Sequence, residues 1–193
     1  MRVFSWERTQ PSKLTERVRI PSPAPKKIMK DKFKVAYMDV AKRFAELSSA
    51  ERLHVGAIVV KDDRIISIGY NGMPSGWDNE CEYVEFMPHD KTTEEYPLFG
   101  KFWLENHEIN THYKLVTKRE VLHAESNAIS KLARSTESGL GADIFITHAP
   151  CLDCAKLIYQ SGIKRVFYGQ QYRDDSGIKF LKQSKVEVEQ IKE

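Results

Sequence analysis

Ala142-Asp-Ile-Phe-Ile-Thr147 is a β-rich run, and Cys151-Leu-Asp-Cys-Ala-Lys-Leu-Ile-Tyr-Gln160 carries apolar residues at helical spacing before Ser161-Gly162. Lys164-Arg-Val-Phe-Tyr168 is β-rich again. Strand, helix, strand in so short a span is the building unit of an α/β sheet. Downstream, 174–183 is expected to be helical and Val186–Ile191 alternates as an edge strand does. Upstream, helix formers run from His123 to Arg134, with Gly139 and Gly141 closing the element. Earlier still, Val55–Val60 and Arg64–Tyr70 flank the polar Lys61-Asp-Asp63 and read as an antiparallel hairpin. Before it, Val35, Ala36, Met38, Ala41, Phe44, Ala45 and Leu47 form one stripe of an amphipathic helix from Phe33 to about Ser48. A hairpin followed by strand–helix alternation implies a mixed sheet covered by helices on both faces.

Two segments stand outside this pattern. Residues 77–120 hold scattered aromatics and three histidines without a clear period; they read as an ordered insertion with a short helix around Gly100 to Asn106. Residues 1–30 hold eight basic side chains against Glu7 and Glu16, and four of the eight prolines, so they read as an extended basic arm. The whole chain of 193 residues carries +3. The arm accounts for +6 of it, which leaves −3 on the body, residues 31–193. A strand-binding channel needs the opposite sign, so nucleic acid is not the expected partner.

Composition narrows the class further. At 41% hydrophobic and 30% charged the chain suits one well-cored domain. No apolar run reaches the ~20 residues of a membrane span, so no membrane partner is expected. The start, MRVFSWERTQ, lacks the apolar core of a secretory signal. Three cysteines, Cys81, Cys151 and Cys154, cannot all pair. A disulfide scaffold is therefore excluded, and a cytoplasmic chain with free or metal-bound thiols is the expectation.

The chemistry is concentrated at two points: His123-Ala-Glu125 and Pro150-Cys151-Leu-Asp-Cys154. A His-x-Glu by itself arises about 0.5 times by chance in such a composition, whereas Pro-Cys-x-x-Cys arises only about 0.002 times. The cysteine pair makes the histidine worth reading. Cysteines three apart at a helix start share one face, and the helix N-terminus favours thiolate. His123, Cys151 and Cys154 together suit Zn²⁺, with the fourth tetrahedral position left for water, as in catalytic sites. Glu125, beside the ligand and not on the metal, is placed to carry protons. Deamination of a nucleobase needs such a shuttle, one proton for the ring nitrogen and one for the leaving amine. The alternative is a structural zinc completed by His107, His112 or His148. His54 and His89 have no assigned role.

These residues resemble the deoxycytidylate (dCMP) deaminases. The resemblance spans about 33–191 and rests on Val55-Gly-Ala-Ile-Val59, Gly69-Tyr-Asn71-Gly72-Met-Pro-Ser-Gly76, His123-Ala-Glu-Ser-Asn-Ala-Ile129 and Pro150-Cys-Leu-Asp-Cys-Ala-Lys-Leu-Ile158. It implies a three-layer α/β/α sandwich around a five-stranded mixed sheet, one catalytic zinc, and conversion of dCMP to dUMP and ammonia as a supply for thymidylate synthesis. His123, Cys151 and Cys154 match the zinc ligands and Glu125 the proton shuttle. Asn71 matches a sugar contact, Ala124 a backbone N–H that meets the pyrimidine carbonyl, and Tyr172 a tyrosine bordering the substrate.

The resemblance further implies a homo-oligomer, commonly a hexamer, activated by dCTP with Mg²⁺ and inhibited by dTTP. Arg52, Asn71 and Gly72 are the candidates for that effector site. Some phage relatives hold a second, structural zinc through extra cysteines; Ala50 and Glu80 stand at those positions here, leaving Cys81, His107 and His112. The competing readings are a zinc deaminase acting on a base within RNA or single-stranded DNA, and a non-enzymatic zinc-stabilised binding module.

Overall fold

The computed structural model describes residues 29–86, 104–106 and 111–192, so the arm before residue 29 and the residues at 87–103 and 107–110 lie outside the description. His89 and His107 are among them. The elements are α1 (Asp31–Ala45), β1 (Gly56–Lys61), β2 (Arg64–Tyr70), β3 (Glu82–Phe86), β4 (Leu104–Asn106) and β5 (Thr111–Thr117). They continue with α2 (Ala124–Leu132), β6 (Asp143–His148), α3 (Leu152–Gln160), β7 (Arg165–Gln170), α4 (Ser176–Gln183) and β8 (Glu187–Gln190). Among the described residues no helix is long and apolar enough to cross a membrane.

Five strands form one mixed sheet in the order β2-β1-β6-β7-β8. β1 runs antiparallel to β2 and β6, while β6, β7 and β8 are parallel. The β1–β2 turn places Asp62 and Asp63 at φ 51° and 60°, the twist that a two-residue hairpin loop requires. Alternation along the strands sorts the core into two layers. Ala57, Val59, Ile144, Ile146 and Val166 face one side with Ala124, Ala128, Ala155, Ile158 and Leu181 of α2, α3 and α4. Ile58, Val60, Phe145 and Phe167 face the other side with Met38 and Ala41 of α1. The expected three-layer sandwich around a five-stranded mixed sheet is thus what forms.

Because β1 and β6 are antiparallel, the start of β1 shares one end of the sheet with the ends of β2, β6 and β7. Gly56 pairs with Tyr70, and its N–H donates to Thr147 Oγ1 at 3.1 Å. The opposite end is clamped by the register pair Asp143 and Arg165, whose Nε–Oδ1 distance is 2.7 Å. Gly69 brings α2 onto β2: a Cβ there would fall on the Ala124 carbonyl oxygen and 2.6 Å from the Ala128 nitrogen. Such an approach leaves no room for a side chain.

Two readings change. The helix expected around Gly100 to Asn106 is, at 104–106, strand β4, because those residues pair with Thr111–Tyr113 of β5. Among its described residues the ordered insertion holds a three-stranded sheet, β3-β5-β4. α2 stops at Leu132, short of Gly139 and Gly141; Ser135 Oγ donates to the Leu132 carbonyl and accepts from Glu137 N–H, which turns the chain.

Candidate active site

α2 and α3 enter the site with His123 and Cys151 as their N-cap residues, both in extended conformation and neither making a side-chain capping bond. A position usually held by Ser, Thr, Asp or Asn is here given to a metal-binding side chain. His123 Nδ1, Cys151 Sγ and Cys154 Sγ all lie within 4.8 Å of one another. Nδ1 is 3.6 Å from Cys151 Sγ and 3.4 Å from Cys154 Sγ. A tetrahedral zinc with the usual bond lengths would separate S and N by about 3.5 Å, so the three donors fit the ion. Among the described residues this is the only such group, and His148 is outside it: its Nδ1 is bonded to Thr147 Oγ1 at 3.1 Å. The side chain of His112, on β5, is not described.

The electrostatics favour a cation between the sulfurs. Without an ion, hydrogen bonds from Cys154 and His123 hold the Cys151 thiol down to about 4. The hydrogen bond with Cys151 and burial push the Cys154 thiol up. His123 is raised by its hydrogen bond to Cys151. Glu125, two residues from the ligand and 4% exposed, is pushed up to about 7 by burial. Its carboxyl sits in the first turn of α2, on the wall of a cavity of about 440 Å³ shared with His123 and Cys151.

That cavity opens at the sheet end described above and gathers most of the residues singled out from sequence: Asn71, Ala124, Glu125, Tyr172 and Arg52 all line it. Ala124 is the first residue of α2, where a backbone N–H has no intrahelical acceptor. Asn71 is partly committed: its Oδ1 accepts from Val55 N–H at 2.7 Å and its Nδ2 donates to the Leu53 carbonyl at 2.8 Å. One amide hydrogen and one lone pair remain for a ligand. Gly72 is not on the wall; it pairs with Leu122, N–H to carbonyl at 3.2 Å and the reverse bond at 2.9 Å, tying its loop to the residue before His123. Asn71 N–H likewise donates to the Val55 carbonyl. Neither amide is left to cradle an anion.

Tyr172 packs against Ala149, Tyr168 and Ile178, and Arg173 lies over its ring at 5.5 Å. Arg52 and Arg173 are the two arginines on the wall, and sequence reasoning singled out only the first. It also missed Glu82 and Thr117, which come from the accessory sheet. Nothing in their local sequence marks them, since both act on a loop far away in the chain. Where relatives are expected to carry a second zinc, Ala50, Cys81 and Val121 form a small buried cluster with Met73.

Comparison with known proteins follows the same lines. Residues 31–170 match the cytidine and deoxycytidylate deaminase zinc-binding region. The crystal structure of dCMP deaminase from the cyanophage S-TIM5, in complex with dCMP and dUMP, superposes with a TM-score of 0.67 at 40% identity, covering 85% of this chain and 100% of that one. The deoxycytidylate deaminase of Enterobacteria phage T4 is 37% identical over 131 residues, 61% of this chain and 67% of that protein. The Homo sapiens deoxycytidylate deaminase is 33% identical over 140 residues, 72% of this chain and 65% of that protein.

Proposed function

This chain belongs to the cytidine and deoxycytidylate deaminase family, and from that premise we propose that it hydrolyses dCMP to dUMP and ammonia. The observation that carries the reading is the convergence of the His123, Cys151 and Cys154 donors with buried Glu125 on the wall of one cavity. The size of that cavity, about 440 Å³, suits a mononucleotide.

His123, Cys151 and Cys154 would hold the zinc, which when bound lowers the pKa of a coordinated water toward ~7 and makes a nucleophile available at neutral pH. Glu125 would take a proton from the attacking water and give it to N3 of the pyrimidine as the water oxygen bonds to C4. It would then take the proton of the new C4 hydroxyl and pass it to the exocyclic nitrogen; the C4–N bond breaks, the C4 carbonyl forms and ammonia leaves. Ala124 N–H, which has no intrahelical acceptor, suits a hydrogen bond donated to the pyrimidine carbonyl. The remaining donor and acceptor of Asn71 suit a sugar hydroxyl, and Tyr172 borders the substrate. Arg52 and Arg173 are the cationic side of the cavity and suit a phosphate dianion. Arg52 and Asn71 are therefore read as substrate contacts before effector contacts.

The wider role follows as part of the same proposal: supply of dUMP for thymidylate synthesis, a hexamer, activation by dCTP with Mg²⁺ and inhibition by dTTP. One panel tests it. Ammonia release from dCMP, CMP, deoxycytidine and a cytidine-containing single-stranded DNA is measured on zinc-loaded protein, with and without dCTP or dTTP. The expected result is turnover of dCMP above the other three, moved in opposite directions by the two triphosphates. Preference for the DNA strand would replace the mononucleotide reading with a polynucleotide one.

A further inference from the structure

The accessory sheet reaches the cavity through one register pair. Glu82 of β3 stands opposite Thr117 of β5, so the two residues are cross-strand neighbours on one antiparallel pair. Both grip the same short loop ahead of β1. Glu82 accepts from two successive backbone amides, Glu51 N–H at 3.1 Å and Arg52 N–H at 3.4 Å. Thr117 Oγ1 accepts from Arg52 Nη1 at 3.1 Å. One side chain fixes the backbone of Arg52 and the other fixes its guanidinium. Beneath them Ala50, Cys81 and Val121 pack together, and Lys118 N–H donates to the Cys81 carbonyl at 2.9 Å, which ties the loop to both strands.

The chemistry of the grip matters. The Glu82 carboxylate is occupied by the loop's amides. Thr117 takes one of five guanidinium hydrogens and leaves the rest for a ligand. Holding a long, flexible arginine in place lowers the entropy lost when it meets a phosphate.

We propose that the Glu82–Thr117 pair of the accessory sheet positions Arg52 for the phosphate of the substrate and so sets the preference for nucleotide over nucleoside. The inference rests on reading the cavity as a dCMP site and deepens it: Glu82 and Thr117 are positioning residues that act through Arg52. They do not touch the reacting atoms.

The test compares dCMP with deoxycytidine, which lacks only the phosphate. In Thr117→Val, a change that keeps the side-chain shape and removes the hydroxyl, KM for dCMP should rise about fivefold, the size expected for one lost hydrogen bond. The ratio of kcat/KM for dCMP to that for deoxycytidine should fall by the same factor. Thr117→Ser should restore the ratio, and Glu82→Ala should lower it. General loosening of the fold would slow both substrates together and leave the ratio unchanged. An unchanged ratio in Thr117→Val, or a Ser variant as impaired as Val, overturns the positioning role while leaving the dCMP reading intact. A wild-type protein that turns over deoxycytidine as well as dCMP overturns both.

Discussion

The five-stranded sheet and the three-stranded accessory sheet face the same cavity but are built on different terms. Along β6, five of six residues are buried, and along β3, four of five are exposed, with Tyr83, Val84 and Phe86 about half open to solvent. The large sheet is held by two core layers and by the part-buried Asp143–Arg165 clamp. The small one is held by its ladder, by the cluster around Cys81 and by the loop it grips. The metal donors and Glu125 sit at helix N-termini seated on the large sheet, where a small displacement would separate them. Glu82 and Thr117 of the small sheet form part of the cavity wall. A deeply buried support carries the donors and a more exposed framework carries that part of the wall.

Three changes probe that division, taken from the largest effect down. Cys154→Ala removes one of three donors, so the variant should lose stoichiometric zinc and all measurable turnover; metal content by atomic absorption alongside the ammonia assay checks it. Ile146→Ala empties space in the layer beneath α2 and α3, where Ile146 is 0% exposed, and should cost about 3 kcal/mol in urea unfolding. Tyr83→Ser, at 51% exposure on β3, should change the same unfolding free energy by no more than about 0.5 kcal/mol. If Ile146→Ala and Tyr83→Ser cost the same, the two sheets are not distinct in stability and the contrast fails.

How much of this could be read from the chain follows the same line. β1, β2, β6, β7 and the helices between them were legible because strands deep in the sheet read as short β-rich apolar runs and the helices carry a helical period. The donor set was legible because Pro-Cys-x-x-Cys concentrates ligands within one helical turn. The accessory strands carry no such pattern: Glu82-Tyr-Val-Glu-Phe86 is mostly exposed, so its apolar residues do not alternate with a core. The 104–106 segment is a strand only through its pairing with β5, which the local sequence does not show. Glu82 and Thr117 were invisible because their partners lie 30 and 65 residues away. Asn71 was found, but its commitment to Leu53 and Val55 was not, because that use of the amide depends on how the loop before β1 folds back.

The central claim is that Glu125 moves the protons of deamination beside a zinc held by His123, Cys151 and Cys154. Glu125→Gln keeps the size and the burial of the side chain and removes its ability to carry a proton. Zinc content and ammonia release from dCMP, measured together on the wild-type and variant proteins, test it most directly. One zinc per chain is expected in both, with a loss of turnover of about a thousandfold or more in the variant. A variant with full zinc and turnover within about tenfold of wild type would contradict it.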